Sequence, residues 1–354
     1  MATVPSRPKL DADRVEIRLD GKLWQLWDDC ELSRSVDAYD TAAFVSPFNV
    51  ANRTFKEAFR PFAFSNVEIA VGGQKFFTGT MVDVAPSTDE NGSRVAVACY
   101  ALPGVLIDSA APISLLPFEA RGLTLKQIAE RVCRPFGLAV EFTSPPGPAF
   151  RRVKQKLDAR VQDYLVELAH MRGLVLGNDA AGRLVFKRSV GLGSPVARLV
   201  SGRPPVLSVT PTFNARNYYS EITGVVSTKI TAGSSKYTAT NPRLVGRLRA
   251  DTVTLEDAEQ ADAPTAVRAR LGRMFGNAYA VSVEVPTWRD PAGNLWAPDT
   301  TVSLLAPEAM IYTESQFLVR SVVLRTNAAA KTTTLSLALP GAFSGEIPSR
   351  FPWD

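Results

Sequence analysis

Histidine is almost absent from this 354-residue chain: His170 is the only one. That excludes zinc motifs such as H-E-x-x-H, which need two imidazoles on one helix face. Cysteine is scarce too. Cys30, Cys99 and Cys133 are odd in number, far apart and set among apolar neighbours, so they offer neither a disulfide framework nor metal-ligand spacing. They read as buried free thiols. No apolar run approaches the ~20 residues that span a bilayer. The N-terminal MATVPSRPKLDADRVEI lacks the apolar core of a secretory signal. The expectation is a soluble protein made in the cytoplasm.

Catalytic signatures are missing as well. There is no G-x-x-x-x-G-K-[ST] phosphate loop and no G-x-S-x-G nucleophile elbow. GLGSP, residues 191–195, opens no helix and reads as a linker. Glu119, Glu130, Glu141 and Glu167 fall on separate elements and declare no carboxylate pair. Asp28-Asp29 and the Asp37/Asp40 pair have the charge to hold a cation. Calcium loops need more oxygen ligands at fixed spacing, so these read as exposed strand-end acids. His170 lies opposite Val161 on a predicted helix, is expected to face solvent, and has no evident orienting partner. The expectation is therefore no catalytic, cofactor-binding or metal-ligating residue, and a binding or structural protein rather than an enzyme.

What is present is an ordinary globular balance, 45% apolar and 21% charged, in a chain long enough for two or three domains. The net charge of +5 is unevenly placed. Residues 119–188 hold 13 Lys and Arg against 7 Asp and Glu, a net +6, and the rest nets about −1. Such a surface suits nucleic acid or an acidic protein partner, although no aromatics interleave as in a single-strand binder.

The clearest local signal is residues 156–188, KLDARVQDYLVELAHMRGLVLGNDAAGRLVFKR. Val161, Tyr164, Leu165, Leu168 and Ala169 share a helical face, with Asp158 as N-cap and Gly173 as the left-handed stop. Two strands, 174–176 and 183–186, flank a turn. Before it, Thr124 and Gln127 have capping-box spacing, Leu125, Ile128, Ala129, Val132 and Phe136 continue a helix, Gly137 ends it, and 138–142 is a strand. The middle is thus twice helix, glycine, strand.

Short strands lie on both sides. A hairpin of 14–19 and 23–32 turns at Asp20-Gly21. Residues 33–62 read as irregular or briefly helical. Strands at 67–71, 75–84 and 94–101 follow, with a polar loop at 87–93. Beyond residue 205 the candidate strands are 206–211, 218–230, 280–285, 301–305, 317–324 and 333–339. A helix over 264–275 is stopped by Gly276, and 233–243 reads as a mobile polar loop. Residues 76–104 and 317–341 share an aromatic-led strand, a polar loop, an alternating strand and the tetrapeptide ALPG, which marks a duplication. The expected fold is β-rich α+β, two related β-barrel domains flanking a small helix-strand domain. These span 1–112, 113–200, and 201–354 with the inserted helix.

The order of these parts resembles the baseplate hub proteins of contractile-tailed bacteriophages of the Mu type, relatives of the phage late-control proteins and of the type VI secretion spike base. LTLKQIAERVCRPFGLAVEF (123–142) and DARVQDYLVELAHMRGLVLGNDAAGRLVFKR (158–188) carry the resemblance. VSVEVPTWRDPAGNLWAPDTTVSLLAP (281–307) and FLVRSVVLRTNAAAKTTTLSLALPG (317–341) add to it. The resemblance implies a non-enzymatic homotrimer in the virion tail, its six barrels forming a pseudo-sixfold ring. That ring would join the hexameric tail tube and other baseplate proteins to the trimeric tail spike protein. It would leave a channel through which DNA passes transiently and without sequence preference. The other readings of the residues are a cell-wall-degrading tail enzyme and, less favoured, a nucleic-acid-binding protein. The aromatic tail GEIPSRFPWD is expected to pack on a neighbouring subunit or a partner, and Trp288 and Trp296 to brace a hairpin at Gly293-Asn294.

Overall fold

The turn residues read from the sequence set most strand ends. A computed structural model describes residues 12–90, 92–189, 193–226, 235–255, 262–327, 330–348 and 350–354. The chain opens with β1 (Val15–Leu19), β2 (Lys22–Trp24), β3 (Asp29–Ser35) and β4 (Thr41–Pro47). The short helix α1 (Arg53–Ala58) follows, then β5 (Asn66–Val71), β6 (Gln74–Asp89) and β7 (Gly92–Ala101). Asp20 and Gly21 both have positive φ, as a two-residue hairpin turn requires. The expected strand 23–32 is two strands. Trp24 turns its indole inward to donate to Leu26 O at 2.7 Å and Ser46 Oγ at 3.2 Å, which breaks the chain before β3. β4 falls in the stretch expected to be irregular, yet its buried Ala42, Phe44 and Ser46 alternate with period two between β3 and β7. The polar segment 87–93 is mostly strand, not loop, since β6 and β7 pair out to Asp89 and Gly92.

The middle part comprises α2 (Val105–Asp108), β8 (Glu119–Ala120), α3 (Leu125–Cys133), β9 (Val140–Phe142), β10 (Val153–Lys154), α4 (Val161–Met171), β11 (Val175–Asn178) and β12 (Leu184–Lys187). Thr124 and Gln127 form the capping box of α3, and Gly137 at φ 67° ends the turn after it. β11, β12 and β9 form a small mixed sheet in which Phe142 and Phe186 stack at 4.4 Å. Asp158 is not the N-cap of α4. The helix starts at Val161, whose amide donates to Ser109 O at 3.0 Å, so tertiary backbone pairing replaces a side-chain cap.

The last part holds β13 (Ala197–Val200), β14 (Ser208–Phe213), β15 (Glu221–Val226), β16 (Ser235–Thr240), β17 (Ala250–Thr254), α5 (Ala263–Ala278), β18 (Tyr279–Val285), β19 (Thr301–Ala306), β20 (Ile311–Thr326) and β21 (Lys331–Ala338). The predicted mobile loop 233–243 contains β16, which pairs with β15 over six residues. Residues 227–230 of the expected strand, 233–234 of the loop and 191–192 of the linker lie outside the described residues. Gly276 does not stop α5. A Cβ on Gly272 would meet Gly345 Cα at 2.7 Å, and one on Gly276 would meet Ala342 Cβ at 2.8 Å, so both let the segment after β21 press against the helix.

The large sheet runs β14-β18-β21-β20-β3-β4-β7-β6-β5-β1-β2, with β19 beside β20 and β13 beside β19. The β-rich α+β class holds, but among the described strands no sheet closes into a barrel. The cause is β20. Its first half pairs with β19 and its second with β3, so the two expected barrels are joined into one open sheet. The duplication is nonetheless plain. β3-β4-β7-β6-β5 and β14-β18-β21-β20-β19 have the same connectivity and neighbours. β6 and β20 are both 16 residues long, and each carries a one-residue bulge, at Val82 and at Arg320.

Candidate functional site

The residues flagged by the sequence do not converge on a reactive centre. Cys30, Cys99 and Cys133 are free and buried, and burial pushes each thiol up to about 12, away from thiolate chemistry. Among the described residues no three His, Cys, Asp or Glu side chains gather as metal ligands. Glu119 is held by Arg121 and Arg152, Glu141 faces Arg183 at 2.8 Å, and Lys126 lies 3.9 Å from Glu130. Glu167 is exposed on α4. These carboxylates are dispersed.

Asp28 and Asp29 are exposed, as expected. Asp37 and Asp40 are not free strand-end acids. They sit in the β3–β4 connection, where the two halves of the sheet and the middle part meet. Asp40 is 3% exposed and lies 3.4 Å from Arg34, whose guanidinium covers the Phe76 ring and donates to Phe76 O. Burial raises the Asp40 carboxyl to about 7 against the opposing pull of Arg34 and Asn178. The Asp40 amide donates to Asn178 Oδ1 at 2.7 Å, which ties β11 to this connection. Asp37 receives both Nε and Nη2 of Arg320, the bulge residue of β20, at 3.2 and 2.9 Å. Thr78 donates to Ala180 O at 2.8 Å and Lys187 reaches Asp299 at 3.1 Å. Together these contacts gather the β3–β4 connection, β20 and the middle part at one place. Sequence reading missed this, because Arg320 and Asp37 are 283 residues apart.

The same pairings consume much of the basic excess of the middle part. Arg172 is buried, covers Phe150 at 3.9 Å, and pairs with Asp262 at the start of α5. Arg131 donates to three backbone carbonyls, and Arg183 pairs with Asp179. These cations fasten the chain to itself.

His170 is half-buried between α4 and α5, not solvent-facing. Burial, reinforced by Arg273 and Arg270, lowers its pKa to about 3. The helical-wheel position was right, but the face opposite Val161 is covered by α5, an element about 100 residues on. The C-terminal tail likewise packs on its own chain. Phe351 is 8% exposed and stacks on Trp353 at 4.5 Å, Trp353 meets Tyr279 and Phe213 edge-on, and Arg243 pairs with Asp354 at 3.3 Å. Trp288 and Trp296 brace their hairpin as expected: both are buried, with Arg289 and Leu295 bridged between them.

Two kinds of surface remain open. Phe62 and Phe64 are 93% and 60% exposed in a loop that holds both at positive φ. β14 and the outer half of β6 each have one unpaired backbone edge among the described strands.

That fold is the fold of Mu-like prophage tail proteins. The 43 kDa tail protein of prophage MuSo2 from Shewanella oneidensis superposes with a TM-score of 0.77 at 23% identity, covering 93% of this chain and 99% of that one. A tail protein from Neisseria meningitidis gives 0.76 at 19% identity, covering 94% and 99%. Residues 103–188 match the family described as baseplate hub protein gp44-like, second domain. The chain is 27% identical over 337 residues to baseplate hub protein gp44 of Escherichia phage Mu, covering 89% of this chain and 85% of that protein. The chain is similar to the Mu-type baseplate hub proteins along most of its length. Among the described residues no helix is long and apolar enough to cross a membrane.

Proposed function

We propose that this protein is a structural baseplate hub of a contractile phage tail, incorporated in the virion after assembly in the host cytoplasm. The observation that carries the reading is the repeated five-strand unit flanking a middle part that matches the gp44-like second domain. The similarity to the Mu hub protein over most of both chains supports the same reading. Its parts are an N-terminal β unit (1–112), the helix-strand middle (113–200) and a C-terminal β unit (201–354). Three copies bring six related, barrel-like β units into a ring of pseudo-sixfold symmetry. One side meets the hexameric tail tube, the other the trimeric spike, and the central channel passes DNA without sequence readout.

The role is non-enzymatic in this reading. Each copy contributes contact surfaces, and rigidity comes from the ion pairs that fasten the middle part to the C-terminal β unit and the hydrogen bonds that fasten it to the N-terminal one. Light scattering over a wide concentration range tests the proposal. A mass of three chains is expected, and a monomer at every concentration would count against it.

A further inference from the structure

The ring reading above is the basis for this inference, which adds which surfaces of two copies meet. The bulges align the two halves residue by residue. Val82 corresponds to Arg320, so residues 83–88 of β6 correspond to 321–326 of β20. The neighbouring strands align as well. Asp28 N donates to Val45 O at 2.9 Å and Leu207 N to Glu284 O at 2.8 Å, each one residue before its ladder starts. This matches Asp29 of β3 with Ser208 of β14, and the two strands residue for residue from there.

Within one chain, β3 lies antiparallel along 321–326 of β20, from Ser35 opposite Ser321 to Cys30 opposite Thr326. The corresponding stretch of the first half, 83–88 of β6, is paired on one side only, to β7. The strand corresponding to β3 is β14, which is also paired on one side only, to β18. Each chain therefore contains one completed joint and the two complementary sides of a second. These sides do not meet within a chain, because β18, β21, β20, β3, β4 and β7 lie between them. Two different surfaces that fit one another on identical chains make a head-to-tail contact, which gives a ring when its rotation closes and a filament when it does not.

We infer that β14 of one copy lies against residues 83–88 of β6 in the next, repeating between chains the joint that β3 and β20 make within one. The side chains suit such an approach. Thr210, Thr212, Ala85 and Ser87 are short and exposed. Carrying the β3–β20 register across puts Thr210 opposite Ser87 and Thr212 opposite Ala85. It also puts Pro211 opposite Pro86. Asn214 N donates to Ala278 O, which turns the amide positions of Val209, Pro211 and Phe213, within the ladder, to the open side. With proline on both strands the middle rung has no N–H donor, so the joint between copies is weaker than the internal one. The same prolines keep each open edge from pairing indiscriminately while the chain is alone.

Directed cross-linking tests this. Residues opposite each other in an antiparallel pair lie within disulfide reach, and the three native cysteines are buried. The double variant Thr210→Cys with Ser87→Cys, and independently Thr212→Cys with Ala85→Cys, would be oxidised and run on denaturing gels without reductant. Covalent dimers and closed trimers are expected from the double variants and none from the single ones. A folded variant that no longer assembles also puts these residues at the joint. If both reduced double variants size as trimers yet stay uncross-linked, the inference is overturned and the ring reading stands. If the unsubstituted protein is monomeric throughout, the ring reading itself fails.

Discussion

In the second half of the sheet the outer stretch of β20 is covered by β3, whereas in the first half the matching stretch of β6 lies bare. The strands are the same, in the same order, with bulges at matching places. The covered stretch, SVVLRT, buries Val322 and Leu324, and Leu324 lies opposite Leu32 of β3, both at 0% exposure. The bare stretch is VDVAPSTD, polar and proline-bearing, with only Val84 half-buried. Composition thus records which edge is completed within the chain. A strand buried on its edge needs apolar partners and all its amides, and one left open needs charge, short polar groups and proline.

The largest effect that separates the halves is expected at their joint. Leu32→Ala removes a fully buried side chain facing β20 and should cost about 2–5 kcal/mol in urea unfolding. A cost below ~0.5 kcal/mol would mean that the joint adds little. Deleting residues 350–354 removes the Phe351–Trp353 stack, which has no counterpart in the first half. A loss of about 2–3 kcal/mol, on the scale of large-to-small core changes, is expected, with the trimer retained, because the tail packs on its own chain. Loss of assembly without loss of stability would return the tail to an interface role. Thr124→Ala, which breaks the capping box of α3, should cost about 1 kcal/mol, with native hydrogen exchange increasing only in the middle part.

pH offers a finer probe. His170 is a base held below its ordinary 6.5, at about 3, so the unfolded chain binds the proton and the folded one does not. Stability is full above pH 6.5 and declines as pH falls toward 3. As the only histidine it gives one imidazole signal by NMR. That signal should titrate below pH 5 in the folded protein, and a midpoint near 6.5 would place it in solvent. The smallest effect concerns the open edges. Pro86→Val or Pro211→Val should leave the unfolding midpoint within ~0.5 kcal/mol, as surface changes usually do, yet lower solubility by freeing an amide on an exposed edge. Unchanged solubility would remove the guarding role of proline.

Local features of the fold were legible in the sequence because local chemistry decides them. The Asp20-Gly21 turn, the capping box at Thr124, the left-handed Gly137 and Gly173, the Trp288–Trp296 hairpin and the duplicated strand pair all came from spacing and turn residues. What was misread depended on distant partners. Asp37 and Asp40 read as exposed acids until Arg320 and Arg34 were brought to them. His170 read as exposed until α5 covered it. Gly276 read as a helix stop, although its reason is Ala342 passing close by. β16 read as a loop because SKYTAT is mostly polar with no fully buried position, and its pairing with β15 is decided by the fold. Two closed barrels were expected because no local signal shows that β20 divides its length between β19 and β3.

The central claim is that three copies form a ring around a channel. Electron-microscopy class averages of the isolated protein test it most directly. The account predicts a ring with threefold symmetry, six peripheral lobes and an open centre. Single compact particles with no symmetric assembly at any concentration would contradict it.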